Sequence, residues 1–209
     1  MDAAFVLYEQ MTALDLVGPY EMLAANPEIT PHFIAERHGP VRADAGLQFN
    51  ATATFAELPR PDLIVVPGSS RWRSVLESSD ALVAWLAAAH PTATWTTSVC
   101  TGATLLAKAG ILKDRPATTH WLARDVLAEL GASVSSKRVI VDGDVVTAAG
   151  VSAGLDMGLT LVAELFDDDR AKLIQLVTEY DPQPPFDTGS VEKAPAALVD
   201  FARQYDESL

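Results

Sequence analysis

Cysteine is nearly absent from this sequence: one residue, Cys100, in 209. A single thiol excludes an intrachain disulfide and any zinc site built on several cysteines. Histidine is scarce too, and the four residues at positions 32, 38, 90 and 120 show no metal-ligand spacing. Basic residues are few, 15 against 28 acidic, for a formal net charge of −13. Such a surface repels phosphate backbones and anionic lipid, so neither nucleic acid nor a membrane surface is expected as a partner. No apolar run is long enough to span a bilayer, and no basic stretch leads into an apolar one as in a secretory signal. No Gly-rich phosphate fingerprint of dinucleotide or P-loop type occurs. The expectation left by these absences is a soluble, cytoplasmic protein with no metal site and no nucleotide-type cofactor.

What is present suffices for one full core. Hydrophobic residues make up 49% of the chain and charged residues 21%, ordinary proportions for a globular domain of this length. Ala3–Tyr8 is a continuous apolar run suited to a central parallel strand, and Met11–Ala25 is the first helix candidate. Thr30–Glu36 reads as a second strand, in which His32 is a surface or packed side chain, and Leu47–Thr54 as an edge hairpin. Asp62–Val66 is the clearest strand. It stops at the turn Pro67-Gly68-Ser69-Ser70, which leads into a helical stretch around Trp72–Leu76 and then the amphipathic Asp80–His90. Beyond position 110 the pattern predicts strands at Arg115–Thr119, Ala132–Ser135, Arg138–Val141 and Val145–Ala148. Helices are predicted over His120–Leu130, Ala153–Phe166 and Asp169–Tyr180. Residues 181–209 add a Pro-rich segment that must wrap the surface and a closing helix at Ala194–Tyr205. Strands alternating with helices predict a single α/β domain with a doubly wound, mostly parallel sheet.

The stretch from Ala93 to Gly110 organises the rest. Its first half, to Val99, is rich in β-branched residues and reads as a buried strand, whereas Ala, Leu and Lys dominate from Ala103 onward and Gly110 supplies a stop. Only Cys100-Thr101-Gly102 lies between. So abrupt a change needs a tight bend, at which Gly102 relieves crowding and Cys100 is lifted toward the free N–H groups of the helix. That is the geometry of a nucleophile elbow. The helix dipole there predicts a lowered thiol pKa, and the Thr101 N–H is placed to hold a developing anion. Two other residues carry chemistry. Asp15, near the start of the first helix, is either a first-turn acid serving free N–H groups or a carboxyl aimed into a cleft at the strand ends. His120, after a short strand, is either a base for the thiol or a packing and capping residue. The Gly68-Ser69-Ser70 turn can offer backbone N–H groups to an anion.

Together, Ser98-Val-Cys100-Thr-Gly102, Ala117-Thr-Thr-His120-Trp, Leu14-Asp15-Leu-Val-Gly18-Pro19 and the Pro67-Gly68 turn resemble the PfpI superfamily. That group, also called the DJ-one superfamily, has the flavodoxin-like, class I glutamine amidotransferase-like fold. Pro184-Pro-Phe186-Asp-Thr-Gly189-Ser190, with Ala149-Gly150-Val151, is most similar to its bacterial isocyanide hydratase branch. The resemblance implies Cys100 as nucleophile, Asp15 as its acidic partner, and the N–H groups of Thr101 and Ser69 as binders of the anionic group. It also implies that Gly68 and His120 border the substrate, that the Val151 carbonyl lies near the sulfur, and that the protein is a homodimer. Protease-like relatives carry His directly after the cysteine. Thr101 stands there in this chain, so a dyad of that kind is absent. The branch has glycine where this chain has Ser69 and Ala149.

The activity so implied is hydration of an isocyanide to an N-substituted formamide through a cysteine thioimidate. Two rivals use the same thiol: glyoxalase or deglycase action on small dicarbonyls, and a non-enzymatic redox or ligand sensor in which Cys100 oxidises. Transcription regulators that join this fold to a helix-turn-helix domain are a variant of the second, and the net charge of −13 argues against one here.

Overall fold

A strand apolar at both odd and even positions must be covered on both faces, because successive side chains point to opposite sides of a sheet. In the computed structural model, which describes residues 1–208, the first strand β1 (Asp2–Val6) meets that demand. Ala3, Phe5 and Leu7 join one core, and Ala4 and Val6 the other. After β1 come α1 (Ala13–Ala24), β2 (Thr30–Ala35), β3 (Gly39–Arg42), β4 (Gln48–Ala51), β5 (Ala53–Thr54) and β6 (Leu63–Val66). Then follow α2 (Trp72–Ser78), α3 (Asp80–Ala89), β7 (Trp95–Val99) and α4 (Gly102–Lys108). The second half comprises β8 (Pro116–Ala117), α5 (Arg124–Glu129), β9 (Ser133–Val134), β10 (Val139–Asp142) and β11 (Val145–Ala148). Three helices close the chain: α6 (Ala153–Leu165), α7 (Asp168–Val177) and α8 (Ala196–Glu207).

The main sheet has seven strands in the order β10-β11-β7-β6-β1-β2-β5, and every neighbouring pair is parallel except β10 with β11. The doubly wound, mostly parallel fold expected from the sequence is therefore present. Leu16 and Met22 of α1, Met157 and Leu161 of α6 and Ile174 of α7 cover one face. Leu82 and Leu86 of α3, Leu105 and Leu106 of α4 and Leu127 of α5 cover the other. Helices α1 and α6 cross closely because α6 presents glycines to α1. A Cβ on Gly158 would stand 2.7 Å from the Met22 Cβ, and one on Gly154 would stand 3.0 Å from Pro19 Cδ. This contact fixes α1 against the sheet and, with it, the position of Asp15.

Three elements differ from the sequence reading. Leu47–Thr54 is not itself a hairpin. Its first part, β4, pairs antiparallel with β3 outside the main sheet, and β5 pairs parallel with β2 as the edge strand. The turn between β3 and β4 carries Gly46 at φ +93°, which suits glycine and sets that register. His120–Leu130 is not one helix. The His120 side chain accepts from the Leu122 N–H at the head of a 3-10 turn, Trp121–Ala123, and α5 begins only after it. The strand expected at Arg115–Thr119 shortens to β8, because Thr118 and Thr119 turn away to bond Thr147 and the Cys100 carbonyl. Asp181–Ser190 forms neither helix nor strand and lies exposed.

Candidate active site

Open parallel sheets place their ligands beyond the carboxyl ends of the strands, and the residues singled out in the sequence gather there. Asp15 follows β1, Gly68 and Ser69 follow β6, Cys100 and Thr101 follow β7, His120 follows β8, and Val151 follows β11. The bend after β7 has the elbow geometry. Cys100 has φ +57°, a left-handed conformation that costs a non-glycine residue about 1–2 kcal/mol. Its backbone is held on both sides: its N–H donates to the carbonyls of Ala148 at 3.1 Å and Ala149 at 3.0 Å, and its own carbonyl accepts from Thr119 Oγ1 at 2.8 Å. Gly102 lets the chain turn so close to β6. A Cβ there would lie 2.4 Å from the Val66 carbonyl oxygen and 2.8 Å from that of Pro67.

Asp15 is fully buried beneath the thiol. Thr12, not Asp15, occupies the cap position of α1, and the Asp15 carboxylate reaches across to another element: Oδ2 accepts the Gly68 N–H at 2.9 Å. Its Oδ1 has no hydrogen-bond partner. Burial above all raises the Asp15 pKa from 3.8 to about 7. The Gly68 N–H and the Cys100 thiol oppose that rise, and the charge of Asp44 adds to it. Asp15 thus lies in the first turn of α1, but its carboxylate bonds the Gly68 N–H and none of the free N–H groups of that helix.

The thiol departs from expectation in one respect. Burial first, and the neighbouring Asp15 carboxylate second, push the Cys100 pKa well above its ordinary value, and the backbone at Val151 and Thr101 pulls it part of the way back. Removing sulfur from water thus outweighs the dipole of α4, a helix of only seven residues. Two site assignments also change. A backbone group that favours the thiolate must donate, so Val151 offers the sulfur its N–H and not its carbonyl. Val151 is itself strained, with φ +26°. Ser69 offers the sulfur no N–H, because that group donates to Thr101 Oγ1 at 2.8 Å while Thr101 Oγ1 donates back to the Ser69 carbonyl at 3.1 Å. The Ser69 hydroxyl turns away to the Gln10 carbonyl at 2.6 Å. The donors about Cys100 are therefore the N–H groups of Thr101 and Val151. Gly68 holds Asp15, and a Cβ at Gly68 would meet Thr101 N at 2.6 Å and Asp15 Oδ2 at 2.9 Å.

His120 lies beside the thiol without bonding it. Its Nδ1 accepts the Leu122 N–H at 3.4 Å, which leaves the ring hydrogen on Nε2, and its Cδ2 packs on Gly150, where a Cβ would come within 2.5 Å. Burial lowers its pKa below the usual histidine value. The capping role is the one the structure shows. Above the sulfur opens a cavity of about 380 Å³, the scale of small-molecule sites. Ser69, Cys100, Thr101, His120 and Val151 form its inner end. Its outer wall carries Trp72, Trp121, Leu122, Ala202 and Tyr205 together with the polar Thr12, Asp44, Ser70 and Asp206. The apolar ones come from segments remote in the chain, and of these only Trp121 lay in a motif quoted from the sequence, Ala117-Thr-Thr-His120-Trp. Among the described residues no group of three or more His, Cys, Asp or Glu side chains could hold a metal ion, and no helix is long and apolar enough to cross a membrane.

Comparison with known proteins agrees with this architecture. A model of the DJ-1/PfpI family matches residues 1–164. Over 204 residues the chain is 42% identical to the isonitrile hydratase of Pseudomonas putida, a match that covers 98% of this chain and 89% of that one. The crystal structure of a THiJ/PfpI family protein from Pseudomonas syringae superposes with a TM-score of 0.95 at 38% identity, over 99% of this chain and 86% of that one. DJ-1beta of Drosophila melanogaster shares the fold at a TM-score of 0.77 and 17% identity, over 85% of this chain and 97% of that one.

Proposed function

The chain belongs to the DJ-1/PfpI family, and we propose that it is an isocyanide (isonitrile) hydratase with Cys100 as nucleophile and Asp15 as the acid beside it. The observation that carries this reading is the buried carboxyl with a free oxygen and a pKa near 7, set against the one thiol of the chain at a strained elbow. Such a pair shares a single proton in its reactive state. With the proton on Asp15, the sulfur is a thiolate held by the N–H groups of Thr101 and Val151. A sulfur electron pair forms a bond to the terminal carbon of R–N≡C, and the Asp15 proton goes to that same carbon, giving the thioimidate R–N=CH–S. Water then adds across the C=N bond, its oxygen to carbon and a proton by way of ionised Asp15 to nitrogen. The C–S bond breaks, sulfur leaves as thiolate, the hydroxyl proton returns to Asp15, and R–NH–CHO is released. Each step uses an acid or base whose pKa lies near neutrality, where proton transfer is most efficient.

The surroundings of the thiol support an isocyanide over a dicarbonyl. A dicarbonyl needs a second base for the carbon-bound proton of its adduct, and the His120 Nδ1 is occupied by its capping bond. Homodimer assembly and a cytoplasmic location belong to the same reading. Exposed Leu173, Leu176 and Val177 on α7 support an apolar contact with a second copy, and a free reactive thiol suits a reducing compartment.

The test compares formamide formation from a simple aryl or alkyl isocyanide with loss of methylglyoxal at matched enzyme concentration, with Cys100→Ser as the blank. The expected kcat/KM ratio favours the isocyanide by at least about tenfold, roughly 1.4 kcal/mol in transition-state binding. A reversed ratio would assign the site to dicarbonyls. Absence of any Cys100-dependent turnover would leave a sensor.

A further inference from the structure

The outer wall of the cavity has an unusual foundation. Helix α8 turns one stripe inward, Val199, Ala202 and Asp206, at the three- and four-residue spacing of a single helix face. The last of these is an acid, yet it is only 7% exposed. Its Oδ1 accepts the Trp72 Nε1–H at 3.2 Å and its Oδ2 pairs with Arg73 Nη1 at 2.5 Å, while that guanidinium lies 4.2 Å over the Trp72 ring. Arg73 also reaches the Asp206 carbonyl at 3.4 Å. With the Arg73 side chain half exposed, the pair adds little net stability, because solvent screens it and the desolvation of Asp206 offsets its attraction. What it does supply is geometry, since two donors in fixed positions admit one placement of the carboxylate. Trp72 and Arg73 open α2, at the end of the same turn that holds Asp15 through Gly68. Between Thr178 and Pro195 no helix or strand ties α8 to the sheet. The Asp206 cluster therefore anchors the C-terminal end of α8, with Arg203 over the Trp121 ring, 5.9 Å from its centroid, as a looser second contact.

We propose that α8 sets which isocyanides the site accepts, with Ala202 and Tyr205 as the wall that meets the R group and Asp206 as the residue that positions that wall against Trp72. The assignment rests on the hydratase reading above. Two indoles, a phenol ring and a leucine give the outer cavity an aromatic side, and the Asp44 carboxyl that also lines it disfavours an anion, so the R group it selects is an aryl or bulky hydrocarbon group without negative charge. A methyl isocyanide is consumed at the inner end and reaches little of α8. Asp206 is a positioning residue and touches no reacting atom.

The experiment measures KM and kcat for methyl isocyanide and phenyl isocyanide in wild type, Asp206→Ala, Asp206→Asn and Ala202→Phe, with folding of each checked by circular dichroism. Asp206→Ala should raise KM for phenyl isocyanide about tenfold with kcat within about threefold, and should shift the methyl isocyanide values by about twofold or less. Asp206→Asn keeps an acceptor for the Trp72 indole and should restore most of the phenyl KM. Ala202→Phe fills the cavity from the helix side and should depress phenyl turnover selectively without loosening α8. Equal losses on both substrates, or loss in kcat alone, would reduce Asp206 to a stability residue and overturn the proposal. An Ala202→Phe enzyme that processes both substrates as wild type does would overturn it too. Wild type that hydrates neither substrate sinks the hydratase reading itself, a result distinct from hydration with no dependence on α8.

Discussion

At the residue scale, the proposed mechanism turns on one proton shared by two buried groups, Asp15 and Cys100. The pH profile follows from the direction of their shifts. Below about pH 7 Asp15 is protonated and Cys100 is a neutral thiol, so the pair holds one proton too many. Isocyanide turnover should therefore rise as pH climbs through about 7 and persist to the alkaline loss of the second proton, a limb that kcat measured from pH 5 to 10 would reveal. Asp15→Asn removes the proton carrier and should lower kcat by about a hundredfold or more. The same change should affect stability with the opposite sign. The Asp15 pKa of about 7 in the folded chain exceeds 3.8, so the native state binds the proton more tightly. The resulting stabilisation is complete below about pH 4 and is lost as pH rises through 7, about 4 kcal/mol in all at ~1.4 kcal/mol per pH unit. Asp15→Asn should therefore gain stability over wild type at pH 8.5 far more than at pH 5, read by urea unfolding at both. Equal effects at the two pH values would mean that the carboxyl is already ionised in the native state at pH 5, its pKa not raised.

At the element scale, two close approaches hold the site. The elbow needs Gly102, whose absent Cβ would collide with two backbone carbonyls that cannot move without displacing β6. Gly102→Ala should cost at least about 2 kcal/mol of stability and most of the activity, checked by thermal unfolding and formamide assay. The crossing of α1 with α6 is the second. Gly158→Ala meets the Met22 Cβ and Pro19 Cα, both on α1, so it should cost about 1–3 kcal/mol. It should also slow turnover, because the displaced helix carries Asp15. Full activity in a destabilised Gly158→Ala enzyme would show that α1 need not be held so tightly for the chemistry.

At the scale of the whole molecule, charge and surface make separate predictions. With a net charge of −13, a long-range field would repel an anionic substrate and be relieved by salt, whereas an uncharged isocyanide feels none of it. Isocyanide kcat/KM should change by less than about twofold between roughly 0.05 and 0.5 M salt. A steep increase with salt would indicate an anionic natural ligand. The exposed Leu173, Leu176 and Val177 predict a dimer by sedimentation velocity, and Leu176→Lys should weaken it. A monomer at micromolar concentration would leave that patch without the role given to it.

The sequence by itself determined the fold and pointed to the two residues, Cys100 and Asp15, on which the proposed chemistry rests. Period-two burial on both faces of Ala3–Val6 and Leu63–Val66 can be met only by a sheet covered on both sides, and the switch from β-branched residues to helix formers around Cys100 can be made only by an elbow. These are local patterns, and local sterics enforce them. What the tertiary structure decided is everything that depends on distance between remote segments. The dipole of α4 favours the Cys100 thiolate, but burial by segments remote from Cys100 reverses the sign of the shift. Ser69 carried a plausible N–H whose engagement with Thr101 lies 32 residues away, and Val151 turns its N–H to the sulfur while its carbonyl accepts the Gly154 N–H at 3.2 Å. The aromatic wall and its Asp206 anchor span 134 residues from Trp72 to α8. No local pattern encodes such a contact, because a buried ion pair is defined by its partner and not by its neighbours in the chain.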